Sequence, residues 1–274
     1  YLLESRKVQA VLHVEASAEY PLMTNSIIST SARQVYDGAQ SRYGPAAPLT
    51  QVHRLLDEGC VFAVIGKPCD VAAIKNLAQI DKRVKKQIPY TLTFLCGGLP
   101  SLRMPSDMAA HFGIKTTDLS RFRFRGEGWP GTTHMETGDG RSFDLTYHEC
   151  YLNEDAPWTY DSQFRCKICP DAIGELADVA CADDGSVLDN GKPNHREAPG
   201  VNILIARTQE GEALLRDVQS AGVIVLKPFS EAELMTMHAS HIPRKISWPA
   251  RTLGLTLAGK PTIKVKGFRR VRAV

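Results

Sequence analysis

Residues 60–84 read CVFAVIGKPCDVAAIKNLAQIDKRV. The first seven are apolar and mostly β-branched or aromatic, the composition of a strand covered on both faces. Gly66 and Pro68 break the run, and a helix is expected through Val84. Strand, tight turn and helix in that order make half of a parallel βαβ unit. Upstream, VQAVLHVEA (8–16) has strand character. SARQVYDGAQSRYG (31–44) reads as a helix closed by a turn at Gly44-Pro45. PLTQVHRLLDEG (48–59) sets Val52, Leu55 and Leu56 on one helical face. Downstream, YTLTFLCGG (90–98) is a second buried strand ended by glycines. Strands alternating with helices imply an α/β fold, a mixed and largely parallel sheet flanked by helices.

The middle of the chain changes style. Residues 121–166 alternate polar and apolar side chains between turn residues, which implies a β-rich insertion with an antiparallel hairpin at TGDG (137–140). AIGELADVACAD (172–183) is expected to run from helix to strand. NILIAR, EGEALLRDVQSAG and VIVLKPF (202–229) read as strand, helix and strand, followed by one more helix and a basic tail, IKVKGFRRVRAV. Three portions are expected: 1–120, 121–165 and 166–274.

The chain has 274 residues, is 43% hydrophobic and 23% charged, and carries a net charge of +3. That is ample for a sizeable core and too weakly basic to argue for nucleic acid. No apolar run reaches membrane-spanning length. The chain opens on Tyr1 without a leader pattern, so further sequence upstream and a cytoplasmic setting are expected. Seven cysteines, at 60, 69, 96, 150, 166, 169 and 181, do not form the dense even set of a secreted disulfide scaffold. Metal or redox use in a reducing compartment fits them better.

Four of these cysteines stand where ligands bind an open α/β sheet. Cys69 follows one buried strand and Cys96 follows another, and strand carboxyl ends are the usual ligand side. Cys166 and Cys169 form a C-x-x-C pair followed by Pro170. Thiolates so placed can hold a [4Fe–4S] cluster or zinc, or can remain free; two single, distant ligands and the Cys-Pro step favour the cluster. Cys60 reads as a small buried hydrophobe, and so do Cys150 and Cys181, with the latter two in reserve as ligands. Asp171, Glu175 and Asp178 are spaced to share a helix face behind the pair, with Asp171 as a first-turn acid.

RGEGWPG (125–131) combines backbone-permissive glycines with Trp129, which can flank a planar ring. In SRYGPA (41–46), Ser41, Arg42 and the amide of Gly44 can meet a pyrophosphate. No G-x-G-x-x-G follows a strand and no P-loop is present. His148-Glu149 is the one adjacent acid/base pair worth keeping as catalytic candidates.

GKPCDVAAI, FLCGGLPS, RGEGWPG and WTYDSQFRCKICPDAIGELADVACAD, in that order, resemble the coenzyme F420 hydrogenase/dehydrogenase beta-subunit family. Around Trp129 and Trp158 the chain looks most like the 7-hydroxymethyl chlorophyll a reductase branch. The resemblance runs from Tyr1 to about Phe229. It implies an iron–sulfur flavoprotein oxidoreductase that moves electrons between a one-electron, ferredoxin-like carrier or hydrogenase-type partner subunit and a two-electron organic substrate or deazaflavin. It implies FAD and a [4Fe–4S] cluster, with Cys69, Cys96, Cys166 and Cys169 as ligands. Segments 25–45, 66–67 and 125–131 would line the flavin, with Asn25, Ser26, Ser41, Tyr43, Gly44, Gly66, Lys67, Arg125, Gly126 and Trp129 as candidates. The portion 1–120 would then be the flavin-binding core and 166–274 the cluster segment with a second α/β part. Family members usually begin with a ferredoxin-like cysteine segment and an SGG-type turn before YLLES, and the chain as given carries neither. It also lacks the tryptophan expected after Ala182-Asp183. The contrasting reading is a zinc- or cluster-stabilised docking subunit that performs no catalysis.

Overall fold

A computed structural model describes residues 1–158, 161–183, 188–189, 192–193, 197–238 and 241–265. In chain order, β1 (Ala10–Ala16) and β2 (Thr24–Ser29) precede α1 (Ala32–Asp37) and α2 (Val52–Asp57). Then come β3 (Phe62–Ile65), α3 (Pro68–Leu77), α4 (Lys82–Gln87), β4 (Tyr90–Phe94) and α5 (Arg103–His111). The middle holds β5 (Leu119–Arg123), β6 (Thr133–Thr137), β7 (Ser142–Leu145) and α6 (Phe164–Lys167). The last part holds β8 (Val179–Asp183), a two-residue pair β9 (Leu188–Asp189) and β10 (Lys192–Pro193), β11 (Asn202–Ala206), α7 (Gln209–Ser220), α8 (Glu231–Met237), α9 (His241–Ile246) and α10 (Trp248–Leu257).

The main sheet has six strands in the order β11-β8-β4-β3-β1-β2. β1, β3, β4 and β8 run parallel, and antiparallel β2 and β11 close the two edges. The expected mixed, largely parallel sheet is therefore present. The opening stretch explains its centre: Phe62, Ala63 and Val64 have no exposed surface. The pleat sends Phe62 and Val64, with Ala10 and Leu12, against Leu55, Leu56, Ile74 and Val84 of α2, α3 and α4. Ala63 and Val11 face the other way, toward Val8, Leu3 and Val35.

A second core lies in the middle of the chain. β5, β6 and β7 form an antiparallel sheet, and its hairpin turns through the expected TGDG, with Gly140 at φ +87°. Phe122, Phe124, Met135 and Leu145 of this part pack on Met104 and Met108 of α5.

Four local expectations are corrected. The helix expected over 67–84 is two helices, because the Asp81 carboxylate caps a new start by accepting from the Arg83 N–H at 2.9 Å. TNSIIS, unassigned in the sequence, is the edge strand β2, held by six residue pairs to β1. VIVLKPF (223–229) is not a strand: no strand among the described residues pairs with it, and Val223 and Val225 are exposed. After residue 229 the described residues form three helices rather than one. The basic tail lies largely outside the described residues.

The shared helix face for Asp171, Glu175 and Asp178 is also corrected. Asp171 turns its side chain back onto the backbone N–H groups of Ile173, Gly174 and Glu175 at 2.8–3.2 Å. This Asx-type turn competes with a helix and wins after Pro170. Glu175 is left exposed and pairs with Lys245. Asp178 is buried and joins β4 to the last part of the chain. Its carboxylate accepts from the Thr91 N–H (2.7 Å), the Thr91 hydroxyl (2.6 Å) and the Thr208 hydroxyl (3.0 Å).

Candidate functional site

The ends of β3 and β4 carry the first two cysteines to one side of the sheet. After β3, the Gly66 N–H donates to Leu92 O at 3.1 Å, and Gly66 O accepts from the Thr93 hydroxyl at 2.7 Å. The turn is thereby fixed to β4. Pro68 opens α3, where a missing N–H costs nothing, and Cys69 follows in the first helical turn. Asp70 accepts from the Lys67 N–H at 2.9 Å and pairs with Lys67 Nζ at 2.7 Å, closing the cap. After β4, the Leu95 N–H donates to Cys181 O and the Cys96 N–H to Ala172 O, at 2.8 and 2.9 Å.

The C-x-x-C loop is docked onto this turn. The Gln163 N–H donates to Leu99 O at 3.1 Å, and Pro100 bridges Ser162. The Leu99 N–H points at Cys166 Sγ, 3.4 Å away. Gly98 has φ +125°, and a Cβ there would lie 3.1 Å from Ser162 Oγ and 3.5 Å from Cys166 Cβ. Only glycine lets the Cys96 loop approach this closely. Cys169 Sγ lies 3.2 Å from Asp171 O.

Cys69 lies within Coulombic reach of Cys96 and Cys169, and Cys166 within reach of Cys96 and Cys169. Burial, then Asp70, pushes the Cys69 thiol up to about 11; Lys67 opposes this, and Cys96 and Cys169 add to it. Burial raises Cys96 against a backbone hydrogen bond at Gly98, and burial raises Cys169 against a backbone hydrogen bond at Asp171; Cys166 adds to both shifts. Metal-free, Cys69, Cys96 and Cys169 therefore hold their protons at neutral pH, and metal binding would release them. Among the described residues, no three His, Cys, Asp or Glu side chains converge closely enough to hold a single metal ion. Three loops thus bring four sulfurs into one neighbourhood without gathering them on a point. Donor type, number and backbone N–H support fit an iron–sulfur cluster.

The other cysteines stand apart. Cys60 packs against the core under α2 and α4. Cys150 is buried in the second core, 3.0 Å from Thr133 Oγ1 and 3.7 Å from Met108 Sδ. Cys181 sits within β8, and burial alone raises its thiol.

A second feature lies at the carboxyl end of β8. Arg125 donates to Pro130 O (2.5 Å), Tyr43 Oη (2.9 Å) and Asp183 Oδ2 (3.2 Å), and its guanidinium lies 5.0 Å over the Tyr147 ring. Burial works against its charge, but Tyr43 and Asp183 outweigh burial and hold its pKa above the ordinary value. Ser41 bridges Arg125, and Trp129 exchanges two backbone hydrogen bonds with Ala198, at 2.7 and 2.8 Å. Gly131, at φ +81°, has no space for a Cβ, which would lie 2.8 Å from Gly126 O. The cavity here is about 190 Å³ and is lined by Ser41, Arg125, Gly126, Trp129, Asp183 and Asn202 among others. Ligand pockets usually hold ~300–1,000 Å³, so this one is too small to enclose a whole dinucleotide.

The sequence-derived candidates divide accordingly. Ser41, Arg125, Gly126 and Trp129 share the cavity, with Tyr43 behind Arg125. Gly66 and Lys67 stand on the cysteine side, where the Lys67 charge bears on Cys69 and Cys96. Gly44 is buried against Leu22 O. Asn25 and Ser26 are on edge strand β2; Asn25 is exposed, and the Ser26 hydroxyl donates to Pro48 O at 2.8 Å. His148 and Glu149 are exposed, and the Glu149 carboxylate accepts from the Thr146 N–H and hydroxyl at 2.8 and 2.7 Å. Their neighbour Tyr147 is the residue that meets Arg125. Asp183 went unrecognised in the sequence, although it ends a strand of the parallel set, where ligand-facing residues are expected.

The fold and the sequence have counterparts among known proteins. Two family models, for the N-terminal and C-terminal parts of the coenzyme F420 hydrogenase/dehydrogenase beta chain, match residues 1–54 and 61–232 respectively. The chain is 24% identical over 243 residues to the coenzyme F420 hydrogenase subunit beta of Methanococcus voltae, covering 85% of this chain and 76% of that one. It is 32% identical over 99 residues to the Methanothermobacter thermautotrophicus protein of the same name, covering 36% of this chain and 31% of that one. It shares its fold with a chain of the F420-reducing [NiFe] hydrogenase complex from Methanosarcina barkeri, with a TM-score of 0.68 at 16% identity, covering 96% of this chain and 86% of that one. With both family models matched in order along one polypeptide, the chain belongs to the coenzyme F420 hydrogenase/dehydrogenase beta-subunit family.

Proposed function

We propose that this chain is an iron–sulfur flavoprotein subunit of an oxidoreductase, passing electrons between a ferredoxin-like carrier or hydrogenase-type partner and a two-electron organic acceptor such as a deazaflavin. The observation that supports this reading is that Cys69 and Cys96 follow parallel strands β3 and β4, while the Cys166–Cys169 loop docks on the Cys96 turn through the Leu99 N–H. A [4Fe–4S] cluster supplies single-electron transfer, and FAD couples it to two-electron chemistry. The chain's own residues set the stage. Leu99 N–H supports a sulfur ligand, and Lys67 offsets negative charge beside Cys69 and Cys96. Arg125, held by Tyr43 and Asp183, presents a fixed cation to an anionic group in the cavity. His148 and Glu149 are kept as proton-handling candidates on the adjoining surface. The branch resemblance around Trp129 and Trp158 adds a hydroxymethyl-bearing ring to the candidate substrates. Among the described residues no helix is long and apolar enough to cross a membrane.

One observation favours a second reading, a cluster- or zinc-stabilised docking subunit without flavin: the cavity beside Arg125 is smaller than a dinucleotide. Visible absorbance and released-flavin analysis of protein purified without oxygen separate the two. The proposed function predicts about one flavin per chain together with a broad iron–sulfur absorbance. Iron–sulfur absorbance with no flavin selects the docking reading.

A further inference from the structure

The C-terminal helices α9 and α10 lie beyond residue 232, where the family match ends. They nevertheless grip the C-x-x-C loop. α6 ends at Lys167, and the last carbonyls of a helix need partners from outside it. Three side chains from one short stretch supply them in register. Arg244 Nη2 donates to Cys166 O at 2.8 Å, Arg251 Nη1 to Lys167 O at 2.8 Å, and Trp248 Nε1 to Ile168 O at 2.9 Å. Trp248 is 6% exposed, so its indole is seated rather than resting on the surface. Lys245 pairs with Glu175 just past the loop. The other nitrogen of Arg244, Nη1, donates to Gly97 O at 2.5 Å. One guanidinium therefore bonds both the Cys96 loop and the Cys166 loop, with its charge within Coulombic reach of Cys169. Beside it an open groove of about 670 Å³ runs past Gly97, Cys166, Arg244 and Leu255.

We propose that Arg244 is a positioning residue of the cysteine centre: it ties the two cysteine-bearing loops together and raises the reduction potential of a cluster held between them, while Trp248 and Arg251 complete a clamp on the C-x-x-C loop. This rests on the cluster reading above. A cluster gains one negative charge when it accepts one electron, and a fixed cation nearby stabilises that reduced form. A guanidinium can bond two carbonyls at a fixed fork, whereas a lysine ammonium supplies the charge without the fork. The two roles therefore separate by substitution.

The test uses the full chain with Arg244→Gln, Arg244→Lys and Trp248→Ala. Cluster potential is read by redox titration followed by EPR. Arg244→Gln is expected to make the cluster at least tenfold harder to reduce, a fall of about 59 mV for a one-electron couple. Arg244→Lys recovers most of that shift. The second readout is trypsin cleavage after Arg165 and Lys167 in metal-free protein, followed by mass spectrometry. Arg244→Gln and Trp248→Ala are expected to speed these cuts about tenfold, because proteolysis tracks local opening. An unchanged potential in Arg244→Gln with iron retained overturns the potential-setting role. An unchanged cleavage rate overturns the clamp, and this arm also decides the matter if Arg244→Gln loses its iron. Should the wild-type chain bind no iron, the cluster reading fails, and the metal-free proteolysis still decides the clamp.

Discussion

Serine in place of Cys166 is expected to cost the protein at least about nine-tenths of its iron, since a serine hydroxyl is a far poorer ligand than a thiolate at neutral pH. Cys166 is the sulfur that faces the Leu99 N–H and sits against Gly98, so it joins two of the three cysteine-bearing loops. Cys69→Ser, Cys96→Ser and Cys169→Ser should follow it. Cys60→Ser should leave iron intact, because Cys60 packs in the helix-covered core under α2 and α4. Cys150→Ser should also leave iron intact while lowering stability, as Cys150 is buried among Met108, Thr133 and aromatic rings of the second core. Iron analysis of each variant purified without oxygen checks this. Equal losses from Cys60→Ser and Cys166→Ser would mean that the iron is not held by the proposed four.

Asp178→Ala is expected to lower unfolding free energy by about 3 kcal/mol, seen as a reduced urea midpoint at unchanged slope. The carboxylate is 5% exposed, and one of its oxygens takes both the backbone N–H and the hydroxyl of Thr91, itself 1% exposed. Its other oxygen accepts from Thr208, which in turn caps α7 by accepting from the Gly211 N–H at 3.0 Å. Truncation leaves the two Thr91 donors buried without an acceptor, each costing roughly 1–3 kcal/mol. Lys75, 3.6 Å away and partly exposed, can turn to solvent and adds little. Asp178→Asn keeps one acceptor oxygen in place and should cost less than half as much. A loss of unfolding free energy under about 0.5 kcal/mol would show that β4 and the α7 start are not joined through this group.

The fold was legible where hydrophobic pattern and topology coincide. Residues 60–66 could only be a strand covered twice, and Phe62, Ala63 and Val64 are fully buried. The hairpin at 137–140 was legible because its turn needs a left-handed glycine, supplied by Gly140. β2 was not, because TNSIIS alternates weakly and owes its strand state to pairing with β1. VIVLKPF misled for the converse reason: it has strand composition but no strand partner among the described residues. At 171–178 the acidic spacing matched a helix face, yet the Asp171 side chain bonds three backbone amides and Gly174 adopts φ +70°, so the chain turns.

The placing of Cys69 and Cys96 was legible, because each directly follows an apolar strand run, and they stand just past β3 and β4. Arg125, Trp129 and Ser41 were found through glycine and aromatic density, and one cavity collects them. The partners that hold Arg125 were not found. Asp183 and Tyr147 lie 58 and 22 residues from it, and only the closing of β8 beside β4 and the short π-helix His148–Leu152 that follows Tyr147 bring them in. The α9–α10 clamp was invisible for a similar reason. Arg244, Trp248 and Arg251 act on backbone carbonyls, which carry no sequence signature at all.

A count of iron, acid-labile sulfide and zinc in the wild-type protein purified without oxygen decides whether sulfurs far apart in the chain share one inorganic centre. A single cluster on this chain predicts about four iron and four sulfide per polypeptide, with zinc near zero. A colourless protein carrying stoichiometric zinc, or no metal under those conditions, would contradict it.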